Sequence, residues 1–267
     1  MKTGRKIKKL FNGIRREMRK QSYSLQACFR GQQAVADGKE CKCLYVSPVG
    51  STGKDFLEKI IGKFGKDRFD YLLFSYDGTS FDEPVFDKCR VIHEKGLRWD
   101  FMKKYVTPAY CENYDYIFAW ADDIDIGDFS VENYLDIVIR NGLQLSQPAL
   151  TANSFYSHEI TLRDEGCRVG RFTDFVEIMV PVFERRAWTG YWNMLKSDSN
   201  GWGWGHDLFA RSMCGYQRMG IIDAEPVFHT RPLRETDPAT MAKFKNYVKK
   251  NAATYSISLK LSYGKLE

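Results

Sequence analysis

YDYIFAWADDIDI, residues 114–126, runs an apolar strand straight into three carboxylates, Asp122, Asp123 and Asp125. Acids placed at the end of a buried strand lose hydration, and that loss must be offset by donors or a cation. A hard Mg²⁺ or Mn²⁺ ion meets the need with oxygen ligands, and Mn²⁺ also accepts an imidazole nitrogen. The plainer alternative is a surface turn or a helix cap, where Asp is common. Two registers are open: Asp123-Ile124-Asp125 is a literal DxD, while Asp122-Asp123 sits nearer the strand end.

Outward from this stretch, short apolar runs alternate with amphipathic ones from about Lys42. CKCLYVSPV, DYLLFSY, CRVIHE and YDYIFAW read as strands, whereas KDFLEKIIGKF and WDFMKKYV repeat their apolar residues at three and four. That alternation predicts an α/β fold with a central, mostly parallel sheet flanked by helices, in a single domain. Ser130 is placed to cap the helix VENYLDIVIRN, with Gly142 at its carboxyl end. A long polar loop follows Gln147, then an expected strand over residues 176–183, a helix near 185–196, another from His206, and the strand GIIDAEPVFH. Asp237-Pro238 opens a last helix by cap and first-turn chemistry. The organisation read from this is a basic segment over 1–40, the α/β domain over 41–232, and a C-terminal helix and tail over 233–267.

Charge narrows the partners. Lys and Arg exceed Asp and Glu by six over the 267 residues, yet residues 1–20 alone hold nine Lys or Arg against Glu17. The body is therefore slightly acidic, which argues against nucleic acid as a partner. Ile7, Leu10, Phe11, Ile14 and Met18 fall at helical spacing among those bases. They describe either a basic amphipathic helix suited to an anionic membrane surface or a solvated tail. Seven irregularly spaced cysteines do not form a disulfide framework and suit a reducing compartment. No run is long enough to span a bilayer and no secretory signal is recognisable, so the expected location is cytoplasmic, with peripheral attachment to the inner face of a membrane if the helix forms.

The remaining motifs divide cleanly. Gly50-Ser-Thr-Gly-Lys54 superficially resembles a phosphate-binding loop, but Pro48 and Asp55 stand where its glycine and hydroxyl residue belong. No GxGxxG is present, so dinucleotide cofactors lose their best support. Gly201-Trp-Gly-Trp-Gly205 permits a turn that presents Trp202 and Trp204 as flat faces for a sugar, with His206 beside them as a substrate contact. Asp207 lies at a helix start, either as an N-cap or as a general base toward an acceptor hydroxyl. His229 ends a strand. The order of Asp cluster, Gly/Trp turn and His resembles that of metal-dependent glycosyltransferases, a resemblance that implies transfer from a nucleotide diphosphate sugar.

YDYIFAWADDIDI, GLQLSQPAL at 142–150, FVEIMVPVF at 175–183, GWGWGHDLFA and GIIDAEPVFH together resemble an uncharacterised family named after lysine ketoglutarate reductase trans-splicing related proteins. That family is similar in turn to glycosyltransferases of the GT-A fold. The resemblance implies a GT-A-like domain that uses Mn²⁺ or Mg²⁺ and a nucleotide diphosphate sugar, with a UDP-sugar favoured, and a glycan or lipid-linked glycan as acceptor. It makes Asp123, Asp125 and His229 the metal candidates and Asp207 the base of an inverting transfer. Asp77, Arg98 and Asp122 become nucleotide or diphosphate contacts, and Glu177 an acceptor contact. Ala121 departs from the family, which often carries an acid there. Two rivals stand beside this reading: a glycan-binding module that keeps the fold without the chemistry, and a haloacid-dehalogenase-type phosphotransferase with its nucleophile in DIDI.

Overall fold

A computed structural model describes residues 41–198, 200–232 and 237–267; the amphipathic-helix expectation for the N-terminal 40 residues lies outside them. Strand β1 (Cys43–Val49) is buried on both faces, with Cys43 and Tyr45 packing into one apolar cluster and Leu44 and Val46 into another. This is the two-sided burial expected of a central parallel strand. Its neighbours are β2 (Phe69–Ser75) and β4 (Tyr116–Ala119), both parallel to it, with β3 (Arg90–His93) beyond β2.

Helices cover both faces. Helix α1 (Lys54–Phe64) sends Leu57, Ile60, Ile61 and Phe64 into the first cluster, and α3 (Val131–Arg140) joins it there. Helix α2 (Arg98–Tyr105) and α4 (Arg185–Lys196) cover the other face through Trp99, Phe101, Met102, Trp188 and Tyr191. Ser130 caps α3 as its sequence position suggests, its Oγ accepting the Asn133 N–H at 3.2 Å.

Beyond β4 the sheet becomes mixed. Strand β8 (Val182–Glu184) runs antiparallel between β4 and β6 (Leu145–Leu150), and β6 pairs in parallel with the long β9 (Met219–His229). Strand β7 (Arg171–Thr173) is antiparallel to β9, and β10 (Ser262–Lys265) is antiparallel to β7. The two-residue β5 (Ile124–Asp125) pairs with the end of β9. Helix α5 (His206–Cys214) precedes β9, and α6 (Pro238–Ala252) starts at the Asp237 cap, whose Oδ1 accepts from Ala239 and Thr240.

One expected element is shorter than its sequence suggests. The strand anticipated over 176–183 is regular only at Val182–Glu184. Pro181 has no N–H to continue a ladder, and the chain before it bonds only intermittently to the β4 end, Ala119 and Ala121 donating to the Pro181 and Met179 carbonyls. The departure turns Glu177 and Met179 toward the cleft they line. No helix among the described residues is long and apolar enough to cross a membrane.

Candidate active site

From β1 the chain moves outward to β2 and β3 on one side and then crosses back to β4 on the other, and open α/β sheets form their crevice at the carboxyl ends of strands where the order reverses in this way. Here that crevice is a cleft of about 820 Å³. The Gly50 N–H just after β1 donates to Asp122 Oδ2 at 3.2 Å, the Tyr76 hydroxyl just after β2 donates to the same oxygen at 2.9 Å, and Arg231 Nη1 lies 3.4 Å from Asp122 Oδ1. Asp122 is thus occupied by protein donors. Burial pushes its carboxyl up, an effect that Arg231 partly offsets.

Asp123 is in a different position. Pairing of Ile124 with His229 brings the two strand ends together, and the Thr230 N–H and hydroxyl both donate to the Asp123 carbonyl at 3.0 Å. His229 Nδ1 lies 2.6 Å from the Phe155 carbonyl, which can only accept, so Nδ1 carries the proton and a neutral ring turns a lone pair at Nε2 toward Asp123 Oδ2, 3.2 Å away. Two acceptors at that distance require a proton or a cation between them. Burial works against charge on both groups, but their mutual interaction outweighs it: His229 is raised and Asp123 lowered from their ordinary values. The other oxygen of Asp123, Oδ1, is buried without a hydrogen-bond partner.

Two further acids, Asp207 and Glu177, line the same cleft. Asp207, in the first turn of α5, is 6% exposed; its Oδ1 accepts the Leu208 N–H at 2.8 Å, and burial raises its pKa to about 7. Glu177 is held through its backbone N–H, which donates to Gln147 Oε1 at 2.7 Å. Burial first, and then the charge of Asp207, raise Glu177 to about 7, and its Oε2 has no hydrogen-bond partner.

Trp202 and Trp204 line the same cleft with ring centroids 5.9 Å apart and planes inclined by 33°. The turn between them depends on glycine: Gly203 has φ +80°, and a Cβ there would lie 2.3 Å from Trp99 Cδ1. Arg98 also lines the cleft, but its guanidinium is committed to the Met179 and Ala119 carbonyls and lies over the Trp99 ring, and burial lowers its pKa to about 10. Of its guanidinium nitrogens only Nε is left without a partner.

Three sequence candidates lie outside the cleft lining. Asp125 Oδ1 accepts from the Gly127 N–H and its Oδ2 lies 3.8 Å from Lys59 Nζ on α1, so the DxD register does not bring both acids to one point. Asp77 ties two loops together by accepting from the Ser51 N–H and from Thr79, and these bonds lower its pKa to about 2. His206 is buried, its Nε2 is 2.9 Å from Asp198 Oδ2, and Trp99, Tyr191 and Tyr247 surround its ring edge to face. A side chain so enclosed supports the Gly/Trp turn from beneath and is not placed to meet a substrate. Tyr76, Arg231 and Lys260 line the cleft and were not singled out from the sequence. Arg231 was legible as a cation two residues beyond the strand-end His, and Tyr76 as the neighbour of Asp77; Lys260 carries no local signal.

Among the described residues no three His, Cys, Asp or Glu side chains form a ready metal cluster. The Asp123–His229 pair nonetheless suits a divalent ion, since it offers one oxygen, one imidazole nitrogen and an unpartnered buried carboxylate oxygen. Such a two-ligand arrangement leaves most positions of an ion to a diphosphate and water, as is common for Mg²⁺ at phosphate sites.

No curated protein sequence matches the chain. Among solved structures it is similar to GalNAc-T7 crystallised with UDP, GalNAc and Mn²⁺, at 8% identity over 80% of this chain and 48% of that one, with a TM-score of 0.53. A second is S. aureus TarS 1–349 in complex with UDP-GlcNAc, at 9% identity over 79% of this chain and 66% of that one, with a TM-score of 0.49. The chain therefore spans about half the length of the GalNAc-T7 chain. At such identities the likeness is one of fold, and the fold is that of the GT-A glycosyltransferases. By sequence, the chain belongs to the family described as proteins of unknown function, DUF707, whose model matches residues 5–255.

Proposed function

We propose that this protein is a metal-dependent glycosyltransferase that moves a sugar from a nucleotide diphosphate sugar, with UDP favoured, to a hydroxyl of a glycan or lipid-linked glycan. The observation that carries the reading is the meeting, in one cleft, of an Asp123–His229 pair fit for a divalent ion and a buried carboxylate, Asp207, titrating near neutrality. Asp123 and His229 would hold Mn²⁺ or Mg²⁺, which would supply positive charge to the leaving diphosphate. Arg231, whose Nη2 is buried without a partner, adds a second charge for the same group. Tyr76 and Gly50 hold Asp122 in place beside it.

Asp207 accepts the proton of the acceptor hydroxyl as that oxygen attacks the anomeric carbon. A base with a pKa near 7 is matched to work at neutral pH, whereas an exposed Asp near 4 would be a weak one. Attack from the side opposite the diphosphate inverts the anomeric centre. Trp202 and Trp204 offer the acceptor ring a stacking surface, and Glu177 offers it a hydrogen-bonding carboxyl.

Titration of the full chain with UDP, GDP, CMP and dTDP, each with and without Mn²⁺, tests the reading by calorimetry. One nucleotide diphosphate should bind in a metal-dependent way, and His229→Ala should remove the metal dependence. A chain that binds none of the four under any condition overturns it. Among the described residues only two side chains offer themselves as ligands, with Ala121 nearby in sequence, which favours a second reading as a glycan-binding module; that reading requires glycan affinity indifferent to Mn²⁺ and nucleotide.

A further inference from the structure

Lys260 reaches the cleft from the C-terminal segment, between α6 and β10, and its backbone is held there in an unusual way. Its φ is +55°, a conformation that residues other than glycine rarely adopt. Asp174, itself buried, enforces it by accepting the N–H of Leu259 at 2.7 Å and of Leu261 at 2.6 Å, one carboxylate oxygen to each side of the lysine. The Lys260 N–H donates to Ser258 Oγ at 3.1 Å.

The side chain is placed with the same care. Lys260 Nζ is 2.9 Å from His158 Nδ1 and 5.3 Å from the centroid of the Phe175 ring, against which His158 packs edge-on at 4.8 Å. Burial, and then the charge of Lys260, lower His158 to about 4, so the imidazole is neutral and accepts. An ammonium has three donors. Among the described residues Lys260 forms no ion pair with a carboxylate, and the one hydrogen-bond partner of its ammonium, His158, is uncharged. Both Asp207 and Glu177 feel its charge, so the lysine stands close to the transfer centre, but it does not neutralise either one: each remains raised to about 7.

We propose that Lys260 is the recognition point for a carboxylate-bearing sugar, a hexuronate or similar monoanionic residue, bound in the cleft beside Trp202 and Trp204. A partly enclosed cation braced by a neutral imidazole and an aromatic face is completed by one negative charge. A phosphate dianion would need more positive charge than this wall supplies. The inference deepens the transferase reading and rests on it for the placement of the sugar; the anionic residue is either the donor sugar or the unit of the acceptor that enters first.

Two matched pairs of probes, measured by calorimetry with Mn²⁺ on the full chain, separate these sources. The donor pair is UDP-glucuronic acid against UDP-glucose, and the acceptor pair is an oligogalacturonate against a neutral oligosaccharide of the same length. In one pair the acidic member should bind about tenfold more tightly, the scale of one charge-assisted hydrogen bond. Lys260→Met should erase the preference, Lys260→Arg should keep most of it, and the affinity for UDP alone should stay unchanged in both. Equal binding within both pairs, or a preference that survives Lys260→Met, overturns the inference while UDP binding leaves the transferase reading standing. Absence of UDP binding together with an acid preference lost in Lys260→Met refutes the transferase and upholds the anion site.

Discussion

Replacing Asp207 with asparagine should make the protein more stable at alkaline pH while removing the proposed sugar transfer. The carboxyl is buried, and its pKa rises from 3.8 in the unfolded chain to about 7 in the fold. Between those values the folded chain holds a proton that the unfolded chain has released, so stability falls as pH rises from about 4 to about 7 and then levels off. At 1.4 kcal/mol per pH unit, the buried charge costs the fold about 4 kcal/mol at pH 8 and roughly 1.5 kcal/mol at pH 5. Asparagine keeps an oxygen for the Leu208 N–H and never ionises. Whatever penalty its amide carries in place of the second carboxylate oxygen, about 1–3 kcal/mol for a buried unsatisfied group, is the same at both pH values and cancels from the difference. Urea unfolding of wild type and Asp207→Asn at pH 5 and pH 8 should therefore show the variant gaining on wild type by roughly 2–3 kcal/mol between the two conditions. Relief of the repulsion on Glu177 lowers that group in the variant and adds to the gain at pH 8. An unchanged difference between the two pH values would refute the claim that Asp207 is a buried, weakly acidic group, and with it the matching of this base to neutral pH. Sugar transfer by the variant should fall about 10²–10⁴-fold, with nucleotide affinity retained.

Three further outcomes follow from the geometry. Arg231→Met should weaken binding of a nucleoside diphosphate about tenfold or more while leaving the nucleoside itself unaffected, since the guanidinium is assigned to phosphate oxygens; calorimetry with UDP and uridine compares the two. Gly203→Ala should lower the thermal midpoint markedly, by a stability loss of about 2 kcal/mol or more, because the new methyl group meets Trp99 at 2.3 Å and φ is +80°; a midpoint equal to wild type would contradict the packing of that turn. Trp202→Ala should leave the midpoint within a few degrees, as the ring is 38% exposed, yet weaken binding of an acceptor oligosaccharide by about tenfold in the same calorimetric assay.

Patterning along the chain was enough to place most of the architecture. Strand and helix periodicities located β1 to β4, α1 to α3 and the caps at Ser130 and Asp237, because each depends on residues a few positions apart. The apolar run ending at Asp122 and Asp123, the Gly/Trp turn before Asp207 and the strand-end His229 were legible for the same reason: a side chain at the end of an element is marked by the element that stops there. What sequence could not assign was which acid does what. Asp122, Asp123 and Asp125 are equivalent as letters, and only the β5–β9 pairing, Arg231, Tyr76 and Lys59 separate them into an occupied carboxylate, an open one and one turned away. His206 looked like a substrate contact by adjacency to Asp207, but successive residues at a helix start point in different directions, and this one is packed beneath the turn. The raised pKa values of Asp207 and Glu177 and the delivery of Lys260 by the C-terminal segment are decided by contacts between residues far apart in the chain. Burial and electrostatic coupling belong to the assembled fold, and so the local sequence determined which groups were available while tertiary packing determined their charge and their neighbours.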